Sequence, residues 1–548
     1  MKDSASQPEY DVVEQLEVLV PVSDGTLLAT NIFLPDGDGP WPTVLERTPY
    51  DKGGADNKWG HFLAERGYVY VVQDVRGRFG SGGDFVPPRA EGQDGFDVQT
   101  WVAAQTWCDG NIGTIGDSYG GFTVWQPAPY GCPAVKSMLT GITGASFYDI
   151  VYQQGAIHLA QGTLWTLSMT DPPGFDGATR NVEATLNLLP LSRLDVAATG
   201  RKIPFLQDVL AHPRRDEYWE PVAADRYEQI DIPVLHVGGW YDMYGINTVK
   251  DYEGMVTRGP SEKSRRAQRL LMGPCGHGAS PDGKFGDLDF GPHSFPDKRQ
   301  IYLQWFDSTL KGMEMGPQPP VRIFVMGENA WRDEEEWPLE RTQYTEYGLS
   351  SEEGANTRFG DGLLSRSAAD IAATDTFTYD PADPVPTVGG AMDQREVEKR
   401  SDVLVYTTPV LEQAVEVTGH IKLVLYASSD APDTDFTAKL VDVHPMGYAQ
   451  NLTDGIVRAS FRESDTAPSP IVPGQIYRYE IDVGVTSNLF HAGHRIRLEV
   501  SSSNFPRFDR NQNTGHAYAQ DAELAAARQT IYHGGVQASH LTLPVIPR

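Results

Sequence analysis

Short apolar runs that end in glycine, aspartate or proline recur along the first half of the chain, and helix-length stretches of mixed polarity separate them. The runs are PTVLER (42–47), YVYVVQDVRG (68–77), NIGTIGDSYGG (111–121), PVLHVGGWYD (233–242) and RLLMGPCGHG (269–278). This alternation is typical of a mostly parallel sheet with helices on both faces. Before it, LEVLVPV and TLLATNIFLP flank Ser23-Asp24-Gly25, which predicts a β-hairpin at the start. The sequence therefore predicts the α/β fold class.

The pattern changes between residues 146 and 235. Two segments there are typical of helices, FYDIVYQQGAIHLAQGTLWTLSM (147–169) and ATRNVEATLNLLPLSRLDVAA (178–198), and strand-like runs return only at Asp231-Ile232-Pro233. We expect residues 1–145 and 236–335 to form one α/β domain that a helical insertion interrupts.

From residue 336 to 548 the sequence has the texture of an all-β domain. Evenly spaced strand candidates are separated by turn residues: DVLVYTTPVL (402–411), VEVTGHIKLVLYAS (415–428), FTAKLVDVHP (436–445), GIVRASFRES (455–464), QIYRYEIDVGV (475–485), HRIRLEVSSS (494–503) and ASHLTLPVI (538–546). Such spacing indicates a β-sandwich or jelly roll. The segments 351–370 and 380–390 are rich in Gly, Ser, Asp and Pro and are predicted to be linkers or surface loops.

Composition narrows the class of protein. Across 548 residues, Asp and Glu number 74 against 45 Lys and Arg, a formal charge of −29, and this field disfavours binding to nucleic acid or to anionic membranes. Three cysteines and the lack of a CxxC or Cys/His spacing argue against a disulfide framework or a metal site. No signal-peptide pattern opens the sequence and no apolar run reaches the ~20 residues of a spanning helix, so we expect a cytoplasmic location.

The sequence Gly116-Asp117-Ser118-Tyr119-Gly120 follows the apolar run IGTI and precedes the helix-like GFTVWQPA. In a G-x-S-x-G motif between a strand and a helix, a sharp turn lifts the serine hydroxyl clear of the sheet, and the glycines prevent clashes. A scan of all serines finds no second G-x-S-x-G. The motif predicts that Ser118 is a nucleophile.

A serine nucleophile needs a base and an acid, and in this kind of fold they follow it in the order Asp or Glu, then His. Asp242 ends PVLHVGGWYD, and His277 lies in GPCGHG directly after the run RLLMG. The rivals are less well placed, because His236 lies inside a strand run, Asp231 precedes its strand and Asp251 falls in a predicted helix. We therefore predict Asp242 and His277 as the partners of Ser118.

Several linked motifs go beyond this pentapeptide: RTPYDK around Tyr50, DVRGRFGSGGDF (74–85), TWCDGNIGTIGDSYGGFTVWQ, GGWYD and GPCGH. Together they resemble the cocaine-esterase-like branch of the X-prolyl dipeptidyl peptidase (S15) hydrolases over nearly the whole chain. The resemblance implies an α/β-hydrolase domain, a helical cap over 146–235 and a C-terminal jelly roll over 336–548. It also implies the triad Ser118, Asp242 and His277.

The same resemblance implies an oxyanion hole built from the Tyr50 hydroxyl and the backbone N–H of Tyr119, without a metal or organic cofactor. A phenol at the end of PTVLER can reach the sheet edge that carries Ser118 and donate a hydrogen bond to a tetrahedral oxyanion. Aromatic residues of the cap are expected to contact the substrate, and Trp165 is the first candidate, with Tyr152 and Tyr244 after it.

The substrate stays open at this point, with a small-molecule carboxylic ester first, and an α-amino acid ester or a dipeptide ending in proline as alternatives. The large N-terminal helical domain of the proline-specific peptidases has no counterpart before the first predicted strands, which favours an esterase. Asp216 and Glu217 are candidates for a carboxylate cluster that binds a substrate ammonium, but scaffold charges are the simpler interpretation.

A carbohydrate- or protein-binding role of the C-terminal β-sandwich is the alternative from another class of function. The oligomeric state is also open, with a homodimer among the alternatives.

Overall fold

The computed structural model describes residues 5–170, 185–278, 282–314, 316, 318–366 and 372–548. In this part of the chain, ten strands form a central sheet and eleven strands form a second, C-terminal sheet. The strands up to residue 334 are β1 (Val12–Pro21), β2 (Leu27–Pro35), β3 (Trp41–Thr48), β4 (Val69–Asp74), β5 (Cys108–Asp117), β6 (Val135–Gly141), β7 (Tyr152–Gln153), β8 (Ala156–Ile157), β9 (Val234–Gly239), β10 (Arg269–Gly273), β11 (Lys284–Phe285), β12 (Leu288–Asp289), β13 (Val321–Val325) and β14 (Ala330–Glu334).

The central sheet has the order β1-β2-β4-β3-β5-β6-β9-β10-β13-β14. Its pairs are parallel from β4 through β13, while β1–β2, β2–β4 and β13–β14 are antiparallel. The predicted parallel sheet and the predicted hairpin at its start are both confirmed. Because β3, β5, β9 and β10 run in one direction, their carboxyl ends meet at one edge of the sheet, where ligands bind in this class of fold.

Helices cover both faces of the sheet. In chain order they are α1 (Lys58–Ala64), α2 (Glu91–Ala103), α3 (Tyr119–Trp125), α4 (Phe147–Val151), α5 (Leu159–Thr170), α6 (Leu194–Thr199), α7 (Pro204–Ala211), α8 (Gly245–Arg258), α9 (Glu262–Arg266) and α10 (Lys298–Thr309). On β4, Val71 packs in the core cluster that contains residues of α2, α3 and α8, whereas Tyr70 and Val72 pack with α1 and α10. The alternation of side chains along each strand therefore gives the sheet two apolar faces.

The cap departs from the predicted pair of long helices. The helix expected over 147–169 is interrupted by the β7–β8 hairpin, because Gln154 and Gly155 take successive positive φ angles of 43° and 90°. Gly155 is required there, since a Cβ would overlap the ring of Phe461. Of the segment 178–198, residues 178–184 lie outside the described residues, and α6 begins at Leu194. The strand β9 begins at Val234, one residue before the expected end of the insertion at residue 235.

The C-terminal domain is an all-β jelly roll. Its strands are β15 (Gln343–Ser350), β16 (Leu363–Ser365), β17 (Ala373–Tyr379), β18 (Leu404–Thr407), β19 (Val415–Ser429), β20 (Asp435–Val443), β21 (Ala449–Arg458), β22 (Tyr477–Phe490), β23 (Arg495–Ser501), β24 (Ala527–His533) and β25 (His540–Ile546). The sequence analysis did not find β15, β17 or β24, whose polar faces obscure the strand pattern. The loop predicted over 351–370 contains β16, and its residues 367–370 lie outside the described residues.

The jelly roll holds the cap in place. Phe505 and Ala519 belong to the apolar core of the cap, and the backbone N–H of Ala160 donates to the carbonyl of Pro506 at 2.9 Å. The N–H of Ile157 donates to a carboxylate oxygen of Asp509 at 3.1 Å. The position of the cap over the sheet edge therefore depends on the C-terminal domain. In the part of the chain that the structure describes, no helix has the length and apolar character needed to cross a membrane.

Candidate active site

Ser118 lies at the turn between β5 and α3 with φ 55° and ψ −124°, a conformation that is strained for a residue with a side chain. The turn is tight because a Cβ on Gly116 would overlap the carbonyl of Gly120, and a Cβ on Gly121 would lie 2.7 Å from Thr143. The N–H of Ser118 donates to the carbonyl of Gly141 at 2.9 Å. The backbone therefore fixes the hydroxyl above the end of the sheet.

The imidazole of His277 joins Ser118 to Asp242. Its Nε2 lies 2.8 Å from the Ser118 Oγ, and its Nδ1 lies 3.1 and 3.2 Å from the two Asp242 oxygens. Asp242 follows β9 and has a fully buried carboxylate, while the side chain of His277, which follows β10, is 23% exposed. The N–H of Tyr244 donates to the Asp242 Oδ1 at 2.7 Å and orients this carboxylate.

Electrostatics make the imidazole a stronger base. Burial lowers the pKa of His277, but the hydrogen bond and charge of Asp242 and the charge of Asp117 outweigh burial, so the pKa is raised above 6.5. A carboxylate on Nδ1 leaves Nε2 as the proton acceptor that faces the serine. The three side chains can therefore move a proton from the serine hydroxyl to the imidazole.

The Tyr50 hydroxyl lies beside the nucleophile, just past the end of β3. The indole Nε1–H of Trp165 donates to it at 3.1 Å. Burial raises the pKa of the Tyr50 phenol, and hydrogen bonds with Trp165, with the Ser118 side chain and with the backbone of Tyr119 oppose that rise. The phenol and the Tyr119 amide thus share one small space next to the Ser118 hydroxyl.

A buried ion pair behind this space was not found from the sequence. The Tyr119 hydroxyl donates to Glu91 at 3.0 Å, and Glu91 forms an ion pair with Arg47 at 3.0 Å. Burial raises the pKa of Glu91, and the charge of Arg47 and the hydrogen bond from Tyr119 oppose it. Arg47 lies on the strand that leads to Tyr50, so the ion pair connects the two expected oxyanion donors. Arg47, a charged residue in the apolar run PTVLER, was the signal that could have revealed its half of the ion pair.

An apolar cavity extends from Ser118 into the cap. Its walls include the cap side chains Phe147, Ile150, Leu159, Phe205, Leu206 and Leu210. Among the described lining residues there is no Asp, Glu, Lys or Arg, and burial lowers the pKa of the lining residue His158 to about 3. The described walls of the cavity therefore carry no charged side chain near pH 7.

The three candidate substrate residues have different positions. Trp165 and Tyr244 line the cavity, and the Tyr244 ring meets the His277 ring edge-on at 5.3 Å. Tyr152 is not among the lining residues, because its ring packs within the cap against Tyr148 and its hydroxyl donates to the carbonyl of Val209 at 2.9 Å. Tyr152 therefore serves the core of the cap.

A second, more polar pocket opens on the other side of Ser118. Its described walls include Glu46, Asp117, Lys298 and Tyr302, and Gln161 and Trp165 line both pockets. Lys298 forms an ion pair with Asp117.

The carboxylates of Asp216 and Glu217 are not among the described walls of either pocket. Asp216 interacts instead with the His212 imidazole at 2.9 Å and accepts from the N–H of Tyr218 at 3.1 Å.

A nucleophile elbow, with an aspartate and a histidine on later loops of the same sheet edge, defines the class of serine hydrolases with the α/β-hydrolase fold. Residues 24–279 match the family described as X-Pro dipeptidyl-peptidase (S15 family), and residues 314–542 match the X-Pro dipeptidyl-peptidase C-terminal non-catalytic domain. The chain is 38% identical to the cocaine esterase of Rhodococcus sp. strain MB1 Bresler, over 97% of this chain and 98% of that protein. The chain therefore belongs to the S15 family, and the resemblance seen in its motifs is confirmed.

Solved structures agree with this assignment. An aminopeptidase from a marine sediment Thaumarchaeota archaeon superposes with a TM-score of 0.85 at 25% identity, over 98% of this chain and 97% of that one. An α-amino acid ester hydrolase superposes with a TM-score of 0.84 at 26% identity, over 98% and 97%. The protein is a serine hydrolase with ester hydrolase activity, and these relatives differ in the substrate that their names record.

Proposed function

We propose that the protein cleaves carboxylic esters through an acyl-enzyme, with Ser118 as nucleophile, His277 as base and Asp242 as the acid that orients the base. The observation that carries this proposal is the continuous contact from the Ser118 Oγ through His277 to Asp242, at 2.8 Å and 3.1 Å. All three residues lie at the same edge of the sheet, beside two pockets.

In the first step His277 Nε2 takes the Ser118 proton while the Ser118 oxygen bonds to the ester carbonyl carbon. The Tyr50 hydroxyl and the Tyr119 N–H donate to the oxygen that becomes negative, and Asp242 stabilises the imidazolium. The tetrahedral intermediate then collapses, and the bond between its carbon and the alcohol oxygen breaks. The alcohol leaves with the proton from His277. Water then attacks the acyl-enzyme as His277 takes its proton, and His277 passes that proton to the Ser118 oxygen as the acid leaves. Every step uses groups of the chain itself and one water molecule.

The described walls of the cavity are apolar and uncharged, which supports an ester with an apolar, uncharged acyl group. A substrate ammonium placed there would lose its hydration without meeting a carboxylate on the described walls, which is costly. This favours a carboxylic ester over an α-amino ester or the free amino terminus of a dipeptide. The name of the cocaine esterase relative agrees with a small-molecule ester as the substrate.

The test is hydrolysis of p-nitrophenyl acetate, p-nitrophenyl butyrate, phenylglycine methyl ester and Ala-Pro-p-nitroanilide by the wild type, by Ser118→Ala and by the surface variant Ser464→Ala. We expect turnover of both p-nitrophenyl esters, a loss of ~10⁴-fold or more in Ser118→Ala, and no change in Ser464→Ala. A fluorophosphonate should label the wild type on Ser118.

Substantial turnover by Ser118→Ala would refute the assignment of Ser118 as the nucleophile. Selective turnover of phenylglycine methyl ester or of the anilide would shift the proposal to the amino-ester or peptidase alternative. If the protein hydrolysed none of the four substrates and bound a glycan, the result would favour a binding role of the C-terminal β-sandwich.

A further inference from the structure

Two histidines and an aspartate meet at one end of the jelly roll, away from the triad in sequence. Asp442 lies near the end of β20, His444 follows that strand, and His494 immediately precedes β23. Strands β20 and β23 are paired with Val443 opposite Arg495, so the fold places His444 and His494 side by side. Their ring centroids are 4.5 Å apart. We call Asp442, His444 and His494 the His-Asp cluster.

The hydrogen bonds of the His-Asp cluster fix both imidazoles. His494 Nδ1 lies 2.8 Å from an Asp442 carboxylate oxygen, and His444 Nε2 lies 3.1 Å from the Gln450 amide oxygen. Because these oxygens only accept, the ring nitrogens that face them carry the protons. The opposite nitrogen of His444, Nδ1, has no hydrogen bond among the described residues. The bond of His444 with Gln450 is an outer hydrogen bond of the kind that orients a metal-ligating histidine, and a metal ion would take the place of the proton between His494 Nδ1 and Asp442.

The carboxylate of Asp442 is buried, and few groups near it can balance its negative charge. Its side chain is 3% exposed, and its partners are His494 and the Asn488 amide, which donates at 3.3 Å. No lysine or arginine forms an ion pair with it in the described part of the chain. A buried carboxylate is costly unless hydrogen-bond donors or a cation compensate it, and a metal ion bound to Asp442 would supply a positive charge.

We propose that the His-Asp cluster is a binding site for a divalent transition metal of the Zn²⁺ class. One possible ligand atom from each of the three residues lies within 4.8 Å of the other two. Imidazole nitrogens with one carboxylate oxygen are a ligand set that zinc accepts, with water in the fourth position. The sequence analysis expected no metal site because it found no CxxC or Cys/His spacing. The pairing of β20 with β23 is what brings the three residues together.

The site also has a connection to the catalytic loop. The Gln450 amide that holds His444 donates through Nε2 to the Tyr241 hydroxyl at 3.0 Å. Tyr241 directly precedes Asp242. A metal on His444 would therefore stabilise the contact between the jelly roll and the loop that carries Asp242, which makes it a structural site.

The test uses the full-length protein after dialysis against EDTA, titrated with ZnCl₂ by isothermal calorimetry. We expect one Zn²⁺ per chain in the wild type, with affinity more than ~100-fold weaker in His444→Ala and in His444→Phe. The phenylalanine variant keeps an aromatic ring beside His494 and guards against a loss that comes from packing. Zn²⁺ should also raise the thermal midpoint of the wild type but not of these variants.

The matched control is His516→Ala, because the exposed His516 lies close to Asp521 and Glu523 in a second group with ligand-like spacing. We expect His516→Ala to keep the tight Zn²⁺ site. The proposal is wrong if the wild type binds no Zn²⁺, if His444→Ala and His444→Phe bind it as tightly as the wild type, or if His516→Ala is the variant that loses it.

Discussion

The indole N–H of Trp165 donates to the hydroxyl oxygen of Tyr50 at 3.1 Å. Trp165 comes from the cap helix α5 and Tyr50 from the loop after β3, so this bond joins the cap to the expected oxyanion hole. A phenol that accepts from an indole keeps its own proton free to donate. The bond therefore orients the Tyr50 O–H toward the space beside Ser118.

Trp165→Phe should lower kcat about 5-fold, because a neutral hydrogen bond is worth ~1 kcal/mol and its loss lets the phenol rotate. Phenylalanine keeps an aromatic ring against Tyr119, on which Trp165 now stacks at 5.1 Å. The measurement is kcat and KM for p-nitrophenyl butyrate. In a Tyr50→Phe background the same substitution should have no further effect on kcat, and an equal loss in both backgrounds would show that Trp165 acts by another route.

Tyr50→Phe should lower kcat by ~100 to 1,000-fold, because it removes one donor to the oxyanion. The residue is 43% exposed, so we expect the thermal midpoint to stay within a degree or two of the wild type. Tyr344→Phe, at a tyrosine that is 58% exposed on the jelly roll, is the matched control and should leave kcat unchanged. Wild-type kcat in folded Tyr50→Phe would remove the phenol from the mechanism.

The sequence predicted the parts of the molecule that depend on local pattern. The parallel sheet, the hairpin and the turn at Ser118 follow from apolar runs, Asp-Gly chemistry and closely spaced glycines, which act over a few residues. The structure also brings Asp242 and His277 into hydrogen-bonding contact, in agreement with their positions at strand ends. Features that need distant partners were not predicted. The hairpin that breaks the first cap helix packs Gly155 against Phe461 of the jelly roll, and the His-Asp cluster depends on strand pairing.

The ion pair between Arg47 and Glu91 should be essential to stability. Both side chains are nearly inaccessible, at 3% and 5%, so Glu91→Leu leaves a buried guanidinium without its carboxylate. We expect a cost of ~3–5 kcal/mol and a thermal midpoint at least ~5 °C lower. Tyr119→Phe keeps the ion pair and should cost only ~1 kcal/mol. Equal midpoints for Glu91→Leu and for Glu335→Leu, an exposed glutamate, would contradict this prediction.

The pH dependence of kcat/KM should report the pKa of His277. A protonated imidazole cannot accept the serine proton, so activity falls as pH decreases through this pKa. Because Asp242 and Asp117 raise the pKa, the midpoint of the acidic limb should lie above 6.5. Asp117→Asn should move the midpoint down, and Lys298→Met, which removes the cation paired with Asp117, should move it up. A midpoint that both variants leave unchanged would exclude Asp117 as a determinant.

Gln161→Glu should raise the preference of the enzyme for amino esters over esters that lack an amine. Gln161 lines both pockets beside Ser118, and the substitution adds a carboxylate of nearly the same shape. Attraction between this carboxylate and a substrate ammonium should be worth ~1–2 kcal/mol in a partly solvated site. The ratio of kcat/KM for phenylglycine methyl ester to that for methyl phenylacetate, which lacks the amine, should therefore rise about 10-fold at pH 6.5, where the α-amino group is largely protonated. Using the ratio cancels any effect of the new charge on His277. An unchanged ratio would mean that the acyl group does not approach Gln161.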